Sequence, residues 1–358
     1  MRILFAAGDV GGARAILPVA HLAATLSHQV ICLAHGVLEA EGSAEWHWFS
    51  QVDSDLAIGS SDVIIYATSS ADDTAVRIAA RARLAGKPAL HVLDNWTSYT
   101  QRVRDFMPDA YAVMDKLALE EAKAAGVPDQ ILHVTGHPDL AKIVDETHEL
   151  PGPVTMSSIL FVSEPAGTTG GIELRGYDET IVTEHLMSAL SEHMPDTSTL
   201  YVAPHPRECR QSVSDRMTRI CGGLANAPDW LLVAPGQIRP ALHSASRVVG
   251  MTSILLYEAW LLGRPTLSLQ PGMRQGMART LSNREGIIFH DQKHGIEESV
   301  ARWLSYTAKP NRPELNQHES AAQAVLGLAL GLISRQPHAT SCSALTLPLK
   351  PVGESHFH

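Results

Sequence analysis

The chain has little of what several functional classes require. Its four cysteines, Cys32, Cys209, Cys221 and Cys342, are scattered and show neither CxxC nor zinc-site spacing. That argues against a disulfide framework or zinc module and for reduced thiols. Basic charge is also short: 28 Lys and Arg against 38 Asp and Glu give a net charge of −10 with His neutral. Long-range attraction to nucleic acid or an anionic membrane is therefore not expected. Any phosphate-bearing ligand must be held by local dipoles and a few specific cations. Long apolar runs are missing too. The longest near the end, Ala321 to Ile333, contains Gln323 and is too short to span a bilayer, so it reads as a docking helix. The opening MRILFAAG reads as a strand rather than a signal peptide. The expectation is a soluble, cytoplasmic protein with no transmembrane segment.

What is present is ample apolar content. With 358 residues and 45% hydrophobic side chains the chain can bury two cores. Arg2 to Ala7 is a continuous apolar strand, followed by the turn Gly8-Asp9-Val10-Gly11-Gly12 and a helix from Ala13 to Leu26. Further strands are read at Val30–Ala34, Val63–Ala67, Pro88–Leu93, Ala110–Met114 and Ile131–Val134. Helices at Asp73–Leu84 and Lys116–Ala125 alternate with them, as in a doubly wound α/β sheet. The turn lacks the GxGxxG spacing, and no acid ends the second strand in the ribose-binding place, so a dinucleotide site has weak support. Gly11 and Gly12 are read either as part of a ligand cleft or as a tight turn. Asp53-Ser54-Asp55 is read as a solvated loop. Thr147 to Pro153, THELPGP, has hinge composition. A second Rossmann-like unit restarts at Ser158–Ser163, giving domains at 1–148 and 149–336 with a loosely ordered tail at 337–358.

The stretch RVVGMTSILLYEAWLLGRPTLSLQ, Arg247 to Gln270, is the most informative. It reads as strand, turn, helix from Ile254 to Leu262, a Gly263–Pro265 stop, and strand. Gly250, Thr252 and Ser253 lie at the helix N-terminus, where free N–H groups and the helix dipole favour a phosphate. Glu258 is the lone charge of an otherwise apolar helix and needs a partner; a ribose diol offers two donors.

This pattern resembles the donor-nucleotide motif of GT-B glycosyltransferases and hydrolysing UDP-N-acetylglucosamine 2-epimerases. The resemblance implies two Rossmann-like domains facing across a cleft, with a C-terminal helix crossing back onto the first. It also implies that the loop contacts the donor diphosphate and that Glu258 holds the ribose. Leu200 to Glu208 adds a strand ending in His-Pro-Arg-Glu. A similar strand-end His-Pro occurs in bacterial sialyltransferases, polyol-phosphate transferases and the epimerases. His205 is suited to hydrogen-bond or protonate a departing phosphate, and Arg207 to grip a diphosphate. The loop Glu164 to Gly171, with Gly167 at its centre, stands where GT-B proteins set amides against the donor phosphate; a surface loop is the competing reading. Gln270 to Gln275 corresponds to a loop that touches the donor sugar, with Arg274 as a second phosphate cation.

Asp94-Asn95-Trp96 follows a strand directly. Asp94 is thus placed as a general base or a helix N-cap, and Trp96 and Tyr99 as a stacking surface. The epimerases carry Glu-Ala-Gly-Leu-Arg at the corresponding strand end, which disfavours epimerase chemistry here. His133-Val134-Thr135-Gly136-His137-Pro138 resembles the Val-Thr-Gly-Asn-Pro crossover of both families; Gly136 and Pro138 break any helix that would align the two histidines on a metal. The reading is a metal-independent glycosyltransferase without a cofactor. Its substrates are a nucleotide-sugar donor and a sugar or glycolipid acceptor, as in bacterial polysaccharide or glycoconjugate synthesis. Asp94 deprotonates the acceptor, and Thr252, Ser253, His205 and Arg207 stabilise the leaving group. The alternatives are a hydrolysing 2-epimerase and a non-catalytic nucleotide-sugar-binding protein. An assembly of two copies is compatible with the chain.

Overall fold

The structure is a computed structural model describing residues 1–69, 72–144, 158–195, 198–274, 281–282, 284–307, 309 and 312–335. The hinge read at Thr147 to Pro153, the 148/149 boundary and the tail at 337–358 lie outside these residues.

The first sheet holds β1 (Arg2–Ala6), β2 (Gln29–Leu33), β3 (His47–Phe49), β4 (Val63–Tyr66), β5 (Ala89–Val92), β6 (Ala110–Val113) and β7 (Leu132–Val134). All pairs are parallel, in the order β3-β2-β1-β4-β5-β6-β7. Central strands such as β4, VIIY, are buried throughout, because crossover helices cover both faces. The second sheet holds β8 (Ser158–Val162), β9 (Thr199–Ala203), β10 (Trp230–Leu232), β11 (Arg247–Gly250), β12 (Thr266–Leu269) and β13 (Ile287–His290). It is also wholly parallel, ordered β10-β9-β8-β11-β12-β13. In each sheet the chain winds outward one way and then returns to the centre. The crevices therefore open between the loops after β1 and β4, and between those after β8 and β11.

The first helix starts earlier than expected, at Val10, and runs to Thr25, so Gly11 and Gly12 form its first turn. Asp53-Ser54-Asp55 is not a loop: Asp53 ends a 3₁₀ turn, and Ser54 and Asp55 begin the helix Ser54–Ser60. Arg81 pairs with Asp55 and donates to the Ser54 hydroxyl at 3.0 Å, fixing that start.

The final helix, Ala321–Ser334, crosses back as expected. Val325, Leu326, Ala329 and Leu332 join the core of the first domain beside Ile16 and Ala20. The returning chain passes Gly136, whose φ is 80°. A Cβ there would lie 2.4 Å from the Gln317 carbonyl oxygen, so glycine is required at the crossing. Beside it, the His137 N–H donates to Nδ1 of His318 at 2.9 Å.

A buried aromatic and ionic cluster joins the domains at one side of the cleft. Trp96 packs on Tyr257 with ring centroids 4.2 Å apart, and Arg284 lies over the Trp96 ring at 5.0 Å. The Trp96 indole N–H and the Tyr257 hydroxyl both donate to Oδ2 of Asp115, at 3.3 and 3.0 Å. This corrects the expected role of Trp96. The ring is 2% exposed and cannot stack on a ligand, because the second domain already covers it. Tyr99 donates its hydroxyl to Glu121 at 2.6 Å but, unlike Trp96, also lines the cavity between the domains.

Candidate functional site

A cavity of about 1960 Å³ lies between the domains. Gly11, Asp94 and Asn95 line it from the first domain, and His205, Arg207, Thr252, Ser253 and Glu258 from the second. These residues come from the carboxyl ends of β1, β5, β9 and β11 and from the helix after β11, where an open α/β sheet collects its ligands.

Asp94 is 14% exposed at its side chain and is held by Arg102, whose Nη1 is 2.5 Å from Oδ1. The same guanidinium donates to the Thr97 carbonyl at 3.0 Å and to the Thr68 hydroxyl at 2.5 Å, so Asp94 is fixed by a side chain that is itself fixed. It does not cap a helix.

On the second domain, the segment after β9 is pinned by Glu208. Its Oε2 accepts from the His205 N–H at 3.0 Å, and its Oε1 accepts from the Ser163 hydroxyl at 2.9 Å and from Arg216 at 3.0 Å. The His205 ring accepts at Nδ1 from the Arg207 N–H at 3.1 Å, so the neutral ring carries its proton on Nε2. Burial lowers the His205 pKa from its ordinary value and the Arg207 charge lowers it further, against the opposing pull of Glu208. His205 is therefore a neutral hydrogen-bond donor at neutral pH.

Ser253 caps the helix Ile254–Leu261, its hydroxyl accepting from the Leu255 N–H at 3.3 Å. Glu258, one turn on, is 3% exposed and lies 3.9 Å from Arg239. Arg239 also pairs with Asp139 of the other domain at 2.9 Å. Burial alone would raise the Asp139 pKa; the Arg239 charge and Lys142 outweigh it and hold the carboxyl below the usual range. The carboxylate expected to meet a ribose is thus tied through one arginine to the crossover segment.

Five expected residues stand elsewhere. Gly12 is packed within the first helix turn, where a Cβ would lie 3.1 Å from Ala67 and from the Thr68 carbonyl. Gly250 is buried in β11, with 2.9 Å from such a Cβ to the Val162 carbonyl. The Gly167 N–H donates to Glu179 at 2.5 Å, although its neighbours Ala166 and Thr168 reach the cavity wall. Arg274 donates to the Ile172 carbonyl at 3.1 Å and is exposed away from the cavity wall. Trp96 lies in the domain contact described above.

Three further residues line the cavity in roles that their sequence context does not indicate. Glu164 accepts hydrogen bonds from the Met251, Thr252 and Ser253 N–H groups, at the helix N-terminus expected to take a phosphate. Arg239 carried no signal of its own in the sequence. His137 stands in the segment that resembles the interdomain crossover. It is 2% exposed, lines the cavity, and neither ring nitrogen has a hydrogen-bond partner among the described residues. Burial lowers its pKa and Arg239 lowers it further, while Asp139 and Asp94 oppose. Among the described residues no cluster of three His, Cys, Asp or Glu side chains could hold a metal ion, and no helix is long and apolar enough to cross a membrane.

Similar architectures occur in solved structures. The UDP-GlcNAc 2-epimerase of Methanocaldococcus jannaschii, in complex with UDP-GlcNAc and UDP, superposes with a TM-score of 0.65 at 12% identity, over 92% of this chain and 100% of that one. The Neisseria meningitidis UDP-GlcNAc 2-epimerase bound to UDP-GlcNAc gives 0.63 at 14% identity, again over 92% and 100%. The Anabaena HepE protein in complex with UDP and glucose gives 0.52 at 15% identity, over 92% and 95%. The chain has the GT-B fold. In GT-B terms, its N-terminal unit presents Gly11 and Asp94 to the cleft, and its C-terminal unit presents His205, Ser253 and Glu258. No protein-family model matches the chain, nor does any curated protein sequence.

Proposed function

We propose that the protein is an enzyme acting on a nucleoside diphosphate sugar, with a UDP-sugar as the first candidate, and that its reaction begins with departure of the nucleoside diphosphate. The observation that carries this reading is the shared cavity. His205, Arg207 and the Thr252–Ser253 helix start face the same space as Glu258 and, across the cleft, Asp94. In this reading the Nε2–H of His205 and the cation of Arg207 take up charge on the leaving phosphate. Glu258 accepts from the ribose hydroxyls. Asp94 acts on the sugar side as a base.

The fate of the sugar is the finer question. The hydrolysing 2-epimerase reaction comes first, because UDP-GlcNAc 2-epimerases of several organisms share this fold along nearly the whole chain. Glycosyl transfer to a sugar or glycolipid acceptor is the second reading. It is favoured by the cavity's size, about twice the upper range of ordinary small-molecule pockets. It is favoured also by Asp94-Asn95-Trp96 standing where the epimerases carry Glu-Ala-Gly-Leu-Arg. Incubation with UDP-GlcNAc and no acceptor separates them. Free N-acetylmannosamine with UDP supports the epimerase, and UDP release only when an acceptor is added supports the transferase. Neither binding nor turnover of any nucleoside diphosphate sugar would overturn both.

A further inference from the structure

Glu164 follows β8 and reaches across the crevice to the segment after β11. Its Oε1 accepts from the backbone N–H groups of Met251 (3.2 Å), Thr252 (2.6 Å) and Ser253 (2.8 Å), and its Oε2 accepts from the Thr252 hydroxyl at 2.5 Å. Three converging amides, a hydroxyl and the positive end of the helix Ile254–Leu261 make up the donor set that a phosphate takes at a helix N-terminus. The chain's own carboxylate satisfies that set. A second anion cannot use the same N–H groups while Glu164 holds them, and two like charges at contact distance repel. The position is the switch point of the second sheet, facing the cavity that also contains His205 and Glu258.

We infer that Glu164 is a resident competitor for the diphosphate pocket: a nucleoside diphosphate gains the three amides only by displacing this carboxylate, so residue 164 sets how tightly the site holds diphosphate. The inference rests on the nucleotide-sugar reading and names the residue that tunes its phosphate affinity. Arg175 lines the same cavity, its Nε donating to the Thr169 carbonyl at 3.1 Å. The ribose end of the site, at Glu258, is one turn further along the helix and does not involve residue 164.

Calorimetric titration of the full chain with UDP and with uridine, for wild type, Glu164→Gln and Glu164→Ala, tests this. The variants are expected to bind UDP about ten-fold or more tightly than wild type, with uridine affinity unchanged within about two-fold. Glu164→Ala loses the helix-start contacts and is expected to melt lower without ligand, yet gain more from UDP. Glu164→Gln keeps the side-chain shape should the alanine variant fold poorly. Equal or weaker UDP binding by the folded variants, with wild type binding UDP, overturns the role of Glu164 and leaves the nucleotide-sugar reading standing. Failure of all three proteins to bind either ligand excludes uridine diphosphate as the nucleotide and overturns the inference for it.

Discussion

A Cβ placed on Gly11 would lie 2.7 Å from Oδ2 of Asp94. The other oxygen of Asp94 is held by Arg102, so the carboxylate is confined between an arginine and a bare helix turn. Alanine at position 11 is favoured in a helix by about 0.5–1 kcal/mol, yet it forces the carboxylate to move. Gly11→Ala is expected to retain wild-type thermal stability while turnover falls about 10–100-fold, the cost of a misplaced reacting group. Unchanged turnover would show that the position of Asp94 does not matter.

The hydrogen bond from the Arg207 N–H to Nδ1 of His205 fixes a tautomer. Nitrogen NMR of the labelled protein at pH 7 is expected to show His205 neutral, protonated on Nε2 and titrating below its ordinary value, as burial and the Arg207 charge require. His205→Ala should lower kcat/KM about 10²–10³-fold, the usual loss for one donor to a developing oxyanion. A cationic ring at pH 7 would contradict this account of the leaving-group site.

Acid stability follows from the buried histidines at the crossover. Burial, and then the nearby His137, push His318 down to about 3. The unfolded chain therefore takes up a proton near pH 6.5 that the folded chain refuses. This contribution is fully present above pH 6.5 and is lost as pH falls from there toward about 3. Denaturant unfolding at pH 7, 6 and 5 should show wild type losing about 1 kcal/mol more per pH unit than His318→Gln below pH 6.5. Parallel stability curves would exclude His318 as the source.

Trp96 belongs to the domain contact and is expected to behave as a core residue. Trp96→Ala removes the packing on Tyr257 and the hydrogen bond to Asp115, and should cost about 3–5 kcal/mol. Trp96→Phe should keep most of the stability and all of the UDP affinity. A Phe variant as stable as wild type that no longer binds UDP would return Trp96 to the ligand site.

Both Rossmann halves were legible because fully buried parallel strands leave continuous apolar runs, as in Val63 to Ala67 and Ser158 to Ser163. Two outer strands were not. β3 is three residues long and partly exposed, and β13 ends in His290, whose ring is satisfied by Ser299 and the Gln292 carbonyl rather than by apolar packing. His205 and Asp94 were legible as cavity residues because each falls two positions past a buried strand, at the sheet's carboxyl edge, and Ser253 because it stands where the next helix begins. Trp96 looked the same in sequence, and only Tyr257, distant in the chain, decides that it faces the other domain. Glu164 and Arg239 carried no local signal, since their partners Thr252 and Asp139 lie 88 and 100 positions away.

The central claim is that one nucleotide sugar is held by the second domain and transformed against the first. It is tested most directly by measuring UDP affinity and UDP-sugar turnover together in Glu258→Gln and Asp94→Asn. The account predicts that Glu258→Gln weakens UDP about 10–100-fold, the cost of about 1–3 kcal/mol for a lost buried acceptor. It predicts that Asp94→Asn binds UDP as wild type does and turns over at least about 100-fold more slowly. Wild-type UDP affinity in Glu258→Gln, or wild-type turnover in Asp94→Asn, would contradict it.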